Sequence, residues 1–146
     1  MSAAAGVLQS DDVVTFRVGS QWFGLGVLKV QEVIGEQKVA RVPLAGPAIA
    51  GLLNLRGQIV TAIDMHRKLE IPRASDEPLM NVVVRDGDEL FALIVDEVGD
   101  VATVPAEALE ALPASLDGVW GRICTGVTRR EQGLLAVLDM TNLLDD

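Results

Sequence analysis

Arg56, which lies between Leu55 and Gly57, is the residue whose charge places the clearest requirement on its surroundings. Its guanidinium group cannot lose its charge, so it is poorly suited to an apolar core and needs a carboxylate partner or contact with solvent. Gly57 can adopt backbone angles that are closed to other residues, which permits a tight turn. Asn54 belongs to the same segment, and apolar runs flank the segment on both sides. The pattern predicts a short charged turn between two apolar runs.

Glu32 is the acidic residue that we weigh together with Arg56, and two interpretations stay open. The first is that the two side chains pair with each other or with other charges and tie a loop to a strand. An exposed pair of this kind would contribute only about 0–1 kcal/mol to stability. The second is that they form part of a docking rim, with Val30 and Val33 nearby as apolar contacts.

The sequence holds one histidine, His66, and one cysteine, Cys124. His66 follows Asp64 by two residues and lacks both a second histidine for a metal pair and a nucleophile motif. We therefore expect it to be a surface residue on a short helix. Cys124 alone forms no intrachain disulfide and no cysteine metal site, and its strand-like surroundings predict a buried, unreactive thiol.

The remaining candidates for catalysis or metal binding are weak. Asp96, Glu97 and Asp100 are clustered, but only alternate positions of a strand share a face, so Asp96 and Glu97 should diverge. This geometry disfavours a divalent cation site. The sequence has no phosphate-binding or dinucleotide-binding glycine loop. We therefore expect no enzyme activity, no metal and no cofactor.

The length of 146 residues suits one domain or a pair of small ones, and 49% hydrophobic residues are enough for a core. No apolar run approaches the roughly 20 residues that cross a bilayer. The first residues have no basic region and no long apolar stretch, so they predict no secretory signal. We expect residues 1–11 to be a flexible N-terminal leader and the protein to be cytoplasmic, without direct membrane insertion.

The formal net charge of −9 is unevenly divided along the chain. Residues 1–73 hold 8 Lys and Arg against 6 Asp and Glu, a net of +2, whereas residues 74–146 hold 4 against 15, a net of −11. An acidic second half argues against binding nucleic acid, where Lys and Arg must neutralise phosphate. It also argues against docking of that half on an anionic membrane. The acidic half is either a solvated face or a surface complementary to a basic partner.

The two halves of the sequence resemble each other. Each contains, in the same order, a Gly-x-x-hydrophobic-Phe-small-Leu run, a Glu-Val pair, a proline, and a glycine followed by an apolar run ending in Asp-Met. Two units of about 65 residues are too few for a solenoid, so they predict two small domains of one fold packed together. The matching segments are Gly19–Leu25 with Gly87–Leu93, Glu32–Val33 with Glu97–Val98, Pro43 with Pro105, and Gly57–Met65 with Gly133–Met140.

Short apolar runs and frequent glycine turns predict a mostly β structure. We expect hairpins over residues 13–27 and 81–95, the second with a strong Asp-Gly turn signal. Further strands and a few short helices should follow, two of the helices capped by aspartates. The proline-containing segment Glu70–Pro78 predicts a linker between units 12–78 and 79–146. The remaining expected strands are Ile59–Ile63 and Leu134–Leu138, and the expected helices lie within Pro47–Leu53 and Pro105–Leu112 and after Asp64 and Asp139.

Three segments together resemble the CheW family, the coupling proteins of bacterial chemotaxis. The resemblance extends from about Asp12 to Leu144. The chain departs from the family pattern at Thr61, where proline is usual, and at Met65, where leucine is usual. Neither change removes a group that could do chemistry. The three segments are Gly51-Leu-Leu-Asn-Leu-Arg-Gly57 with the run to Met65, Leu28-Lys-Val-Gln-Glu-Val33, and Ile94-Val-Asp-Glu-Val-Gly-Asp-Val101.

The resemblance implies an all-β fold with minor helix, built from two small five-stranded SH3-like β-barrels packed side by side. It implies a non-catalytic adaptor that couples the cytoplasmic tips of methyl-accepting chemoreceptors to the regulatory domain of the histidine kinase CheA, at receptor arrays on the membrane. The receptor tip would lie in the groove between the barrels. The implied receptor-docking residues are Val30, Glu32, Val33, Asn54, Arg56, Val98 and Val101, and the implied kinase-docking residues are Gly51 and Val82.

Two other functions stay open on the sequence. One is a scaffold module of a non-chemotactic receptor–kinase pathway or a piece of a larger kinase. The other is a small-ligand-binding β-barrel protein or an unrecognised enzyme. A pull-down with a receptor tip and a kinase, run beside a turnover assay, separates these classes.

Overall fold

The computed structural model of the protein describes residues 11–43, 45–113, 118–131 and 133–144. The predicted N-terminal leader, apart from Asp11, lies outside the described residues. Strands predominate in the described part, as the sequence predicts. The strands are β1 (Asp12–Val18), β2 (Gln21–Gly26), β3 (Val30–Ile34), β4 (Ile49–Leu55), β5 (Gln58–Asp64), β6 (Met80–Asp86), β7 (Glu89–Val95), β8 (Glu97–Thr103), β9 (Cys124–Arg130) and β10 (Gly133–Leu138). The α-helices are α1 (Met65–Leu69), α2 (Val119–Ile123) and α3 (Met140–Leu144), and Val27–Lys29 and Ala106–Ala108 are 3₁₀ turns.

The strands form two five-stranded sheets, which we call sheet A and sheet B. Sheet A has the strand order β8-β1-β2-β10-β9, and sheet B has the order β3-β6-β7-β5-β4. The two orders are identical when β1–β5 are matched with β6–β10. In each sheet one neighbouring pair is parallel, β2 with β10 in sheet A and β5 with β7 in sheet B. The sheets therefore have the same topology, which agrees with the internal repeat in the sequence.

Each sheet draws its strands from both halves of the chain. The hairpin β1–β2 joins β8, β9 and β10 in sheet A, whereas the hairpin β6–β7 joins β3, β4 and β5 in sheet B. The predicted division into barrels 12–78 and 79–146 is therefore wrong, because a boundary near residue 78 does not separate the sheets. The repeat identifies equivalent hairpins, but equivalent hairpins can pair with either set of partner strands.

The chain passes between the sheets at two points within the described residues. The turn Val27–Lys29 connects β2 of sheet A to β3 of sheet B, and the single residue Asp96 connects β7 of sheet B to β8 of sheet A. The predicted linker at residues 70–78 instead connects two strands of the same sheet, since β5 and β6 both belong to sheet B. The two crossovers therefore set how the sheets are joined.

The main core lies between the two sheets, and a smaller cluster lies on the other side of each. Within β6, Val82 and Val84 belong to the shared core and Val83 to the sheet B cluster, as the two-residue period of a strand requires. Burial on both faces explains why several strands read as continuous apolar runs rather than alternating ones. The largest fully buried side chains of the shared core are Phe16, Phe23, Leu25, Met65, Leu69, Leu93, Ile123 and Leu143.

Each sheet curls until its two edges meet, which gives it the form of a barrel. In sheet B, Ala40, beyond β3, exchanges two backbone hydrogen bonds of 2.8 Å with Leu52 of β4. In sheet A, Glu110, beyond β8, exchanges bonds of 2.7 and 2.9 Å with Val127 of β9. The equivalence of the two closures again follows the sequence repeat.

The capped helices are confirmed, and two other predicted helices are wrong. The Asp64 carboxylate accepts from the backbone N–H of His66 at 2.9 Å, and the Asp139 carboxylate accepts from that of Thr141 at 3.0 Å. The segment Pro47–Leu53 instead forms part of β4 from Ile49 onward, because it pairs there with β5. The segment Pro105–Leu112 contains only one 3₁₀ turn, because the chain then extends to pair with β9.

Substitution of Gly51 tests how closely the chain must approach Ala40 to close sheet B. A Cβ atom at this position would lie 2.1 Å from the Ala40 carbonyl oxygen, and the φ of +149° already disfavours a side chain. Gly51→Ala should therefore lower the free energy of unfolding by about 2 kcal/mol or more, measured by urea denaturation. Gly133→Ala is the matched control, because its φ is +126° but its added Cβ meets nothing within 4 Å. An equal loss in both variants would show that backbone conformation, and not the contact with Ala40, sets the cost.

Candidate docking site

Strand β3, an edge of sheet B, carries three of the predicted docking residues. Its ladder with β6 contains a bulge between Val30 and Glu32, which changes the direction in which the following side chains point. Val30 is half-buried and packs on the shared core, whereas Val33 is 38% exposed. The strand therefore anchors one apolar side chain in the core and presents another at the surface.

The turn between β4 and β5 carries Arg56 in a conformation that side chains rarely adopt. Arg56 has a φ of +50° and Gly57 a φ of +89°, so both central residues of this hairpin turn are left-handed. The side-chain oxygen of Asn54 accepts a 2.9 Å hydrogen bond from the Gly57 N–H and holds the turn closed. A non-glycine residue with positive φ costs on the order of 1–3 kcal/mol, and such strain is concentrated at functional sites.

Arg56 and Glu32 form a hydrogen-bonded ion pair, so the pairing that the sequence left open is present. The pair joins the β4–β5 turn to β3 and therefore links the two edges of sheet B. The Arg56 side chain is nevertheless 67% exposed, while that of Glu32 is 25% exposed. Most of the Arg56 side chain thus remains accessible, and Glu32 fixes where its guanidinium group lies.

Val98 and Val101 lie on the other sheet, on the edge strand β8. Val98 is half-buried and packs on the shared core, as Val30 does, and Val101 is 56% exposed. Since β8 is the topological equivalent of β3, the two sheets present similar edges beside their common interface. The structure thus places Val30, Glu32 and Val33 on the edge β3. Asn54 and Arg56 lie at the other edge of sheet B, which the ion pair joins to β3, and the two valines of β8 lie on the equivalent edge of sheet A.

The two residues predicted to dock a kinase are wrong as contact residues. Val82 is 0% exposed in the shared core, so no partner reaches its side chain in the folded protein. Gly51 is buried against the Ala40 carbonyl and serves the closure of sheet B. Both errors arise because a short apolar motif does not reveal which face of its strand is covered.

Two exposed apolar side chains near the site were missed by the sequence reasoning. Leu28 is 60% exposed on the crossover turn that leads into β3, and Ile59 is 64% exposed on β5, paired with Asn54. Their exposure could not be predicted, because in the sequence both continue apolar runs. The structure adds them to the surface around the predicted site.

His66 is not the surface residue that the sequence predicted. It is 7% exposed, and its Nε2 lies 2.7 Å from Asp96 Oδ2. The same carboxylate oxygen accepts a 2.7 Å hydrogen bond from the Gly19 N–H. Burial tends to raise the pKa of the Asp96 carboxyl, but these hydrogen bonds and the nearby charges of His66 and Arg17 outweigh it and lower the pKa below its usual value of 3.8.

The acidic cluster does not converge on a common point. Asp96 is occupied by His66 and Gly19, and Glu97 pairs with Arg17 at 3.0 Å. Among the residues that the structure describes, no group of three or more His, Cys, Asp or Glu side chains is arranged to hold a metal ion. Within the same residues, no helix has the length and apolar character needed to span a bilayer.

The lowered pKa of Asp96 predicts that the folded protein loses stability in acid. Because its pKa is lowered in the folded state, its stabilising contribution is complete above about pH 4 and is lost as the pH falls through the folded-state pKa. Asp96→Asn should cost about 1–3 kcal/mol near neutral pH, since hydrogen bonds to a charged group are removed. Urea denaturation between pH 3 and 7 should show the difference from wild type shrinking below pH 4. A difference that grows in acid would contradict the assignment.

The raised pKa of the Cys124 thiol predicts that this thiol is alkylated slowly in the native protein. Burial raises the pKa of its thiol to about 11, so little thiolate is present near neutral pH. Iodoacetamide at pH 7.5 should therefore modify the folded protein roughly 100-fold more slowly than the protein in urea. Cys124→Ser combined with Thr125→Cys moves the thiol to an exposed neighbour and provides the control. Equal rates for the two native proteins would contradict the effect of burial.

Comparison with known proteins identifies the family. The family model described as the CheW-like domain matches residues 12–146. This chain belongs to that family. Its two five-stranded sheets and few helices are the SH3-like double-barrel form that the sequence resemblance implied.

Individual relatives give the same result for sequence and for fold. The chain is 30% identical to the "Chemotaxis protein CheW" of Klebsiella aerogenes over 99% of this chain and 87% of that one. It is 29% identical to the protein of the same name from Treponema pallidum, over 90% of this chain and 80% of the relative. The crystal structure of the scaffolding protein TtCheW from Thermoanaerobacter tengcongensis superposes with a TM-score of 0.83 at 21% identity, covering 94% of this chain and 90% of that one.

Proposed function

We propose that this protein is a non-catalytic adaptor in bacterial chemotaxis signalling. Its membership of the CheW-like domain family, over residues 12–146, carries the proposal. Several relatives that match most of the chain are themselves named chemotaxis proteins. An adaptor needs surfaces rather than a reaction centre, and the chain offers exposed edge strands and a charged turn for that purpose.

The finer part of the proposal concerns the partners. One is the cytoplasmic tip of a chemoreceptor, bound as a helical hairpin at the edges β3 and β8, where exposed valines offer apolar contacts. The other is the regulatory domain of a CheA-like histidine kinase, bound at a different surface. The protein would then act on the cytoplasmic side of receptor arrays, where repeated modest contacts gain strength through multivalency.

The Arg56–Glu32 pair supports the receptor part of this proposal. Its Coulomb energy is largely screened by water, so the pair contributes only about 0–1 kcal/mol to folding. The two-residue hairpin turn requires a positive φ at Arg56, but Asn, Asp or Gly adopts it more readily, so the turn itself does not call for an arginine. A role in binding a partner accounts for the residue, because an arginine guanidinium offers five donors in a rigid fork to an acidic or amide-rich helix tip.

Substitution of Arg56 by asparagine tests this role. Asparagine tolerates positive φ, so the turn is kept and its strain is reduced while the guanidinium group is removed. The melting temperature should change little, whereas affinity for a receptor-tip fragment should fall by about 2–5 kcal/mol of binding free energy, measured by calorimetry. Glu32→Ala and Arg56→Ala should weaken binding in the same direction.

Arg129→Asn is the matched control for the arginine substitution. Arg129 pairs with Glu110 at 3.5 Å beside the closure of sheet A, and both side chains are exposed. It should leave receptor affinity unchanged. If the Arg56 variants melt early but their folded fraction binds normally, the pair has a structural role only. If the Arg56 and Arg129 variants lose equal receptor affinity, the effect comes from net charge. An adaptor must bind both a receptor tip and a kinase regulatory domain, so a wild-type protein that does not bind one of them would refute the adaptor proposal itself.

A further inference from the structure

Asp96 occupies the point where the chain leaves sheet B and enters sheet A. It is the only residue between β7 and β8, so no flexible segment separates the last pair of β7 from the first pair of β8. The other crossover within the described residues is the three-residue turn before β3. The position of Asp96 therefore directly determines where β8, with Val98 and Val101, begins.

Contacts from sheet A hold one side of this crossover. The backbone N–H of Asp96 donates to the Arg17 carbonyl at 2.9 Å, and its carboxylate accepts from the Gly19 N–H at 2.7 Å. Arg17 also donates from its guanidinium to the Gly19 carbonyl at 2.6 Å and to Glu97 at 3.0 Å. The end of β1 and the β1–β2 turn, both in sheet A, thus bind the crossover through hydrogen bonds.

His66 holds the same carboxylate from the side of sheet B. It lies on α1, which follows β5 directly, and its Nε2 is 2.7 Å from the oxygen that also binds Gly19. An ionised carboxylate offers no proton, so Nε2 must carry the hydrogen and donate it. The imidazole of His66 is therefore the side chain that connects sheet B to the crossover gripped by sheet A.

Several charged groups lie near His66 without taking part in its contact with Asp96. The Nδ1 of His66 lies 3.6 Å from Oδ1 of Asp64. The other oxygen of that carboxylate, Oδ2, forms an ion pair with Nε of Arg67 at 3.3 Å. Lys68 follows on the same helix, and from sheet A the charge of Arg17 acts on Asp96. Both interacting side chains are more than nine-tenths buried, so water does not compete freely for the bond between them.

We propose that His66 is a positioning residue that, through Asp96, sets the separation of the edge strands β3 and β8. The shared apolar core and the 2.9 Å hydrogen bond from Trp120 Nε1 to the Leu69 carbonyl also hold the sheets together, but apolar attraction itself is non-directional. The hydrogen-bonded clamp formed by His66, Asp96 and Gly19 has a preferred distance and direction and so fixes one arrangement. Its effect on partner binding rests on the proposed function, since the receptor tip is proposed to contact both edges.

The separation of the sheets can be measured without any partner. Spin labels are placed on Asp86→Cys of β6 and Asp100→Cys of β8, two exposed positions on different sheets, in a Cys124→Ser background. Pulsed electron paramagnetic resonance should give one narrow distance distribution for the otherwise unchanged protein. His66→Leu should shift or broaden it, and His66→Gln, whose amide can still donate to Asp96, should restore it. Arg67→Gln on the same helix should leave it unchanged.

The outcomes separate this inference from the proposed function. An unchanged distribution in His66→Leu, or the same change in Arg67→Gln, overturns the clamp. Should His66→Leu fail to fold, His66→Asn replaces it, because the shorter amide remains polar but does not reach Asp96. A shifted distribution should be accompanied by about fivefold or greater loss of affinity for a receptor-tip fragment, the lower end of typical coupling between sites. Unchanged affinity would overturn the positioning role, and a wild-type protein that binds no tip would overturn only the proposed function.

Discussion

Burial of both faces of the hairpins β1–β2 and β6–β7 is the constraint on which the rest of this structure depends. Each hairpin covers the interior of one barrel with one face and the interface between the barrels with the other. Because each hairpin pairs with strands from the opposite half of the chain, neither half contains a complete sheet. The barrels are therefore expected to fold together rather than one after the other.

This arrangement leaves the edges β3 and β8 at the surface, where we propose that a partner docks. Both follow a crossover, both lie at the border of the shared core, and both carry one valine that packs inward and one that is exposed. Each sheet is closed by a backbone bridge beyond these strands, at Ala40 in sheet B and at Glu110 in sheet A. In the proposed complex, contact at these edges is made by side chains, with Arg56 held beside β3 by Glu32.

The sequence predicted local structure and family much better than long-range pairing. The capped helices, the two hairpins and the charged turn at Arg56 depend on neighbouring residues, and such signals are readable in one segment. The exchange of hairpins depends on strands that are far apart in the sequence, for example β1 with β8, whose paired residues are at least 80 positions apart, and two equivalent copies give no local signal that distinguishes them. The helix expected within Pro47–Leu53 failed for the same reason, since pairing with β5 decides its conformation.

The candidate site was predictable in part. Arg56 and Glu32 were identifiable because charges in apolar segments require a partner, and the structure pairs them. Val82 and His66 were misassigned in the same direction, since both were expected at the surface and both are buried, Val82 in the shared core and His66 against Asp96. Residues His66 and Asp96 are separated by 30 positions, so only the fold brings their complementary chemistry together.

We propose that the edges β3 and β8 together form the surface that meets a receptor. Methyl NMR spectra of the full chain, recorded while a receptor-tip fragment is added, test this directly. We expect shift changes concentrated at Val30, Val33, Val98 and Val101, with the methyls of Val60 and Leu90 inside the sheet B barrel unaffected. Changes confined to a surface away from both edges, with these four valines silent at saturation, would contradict it.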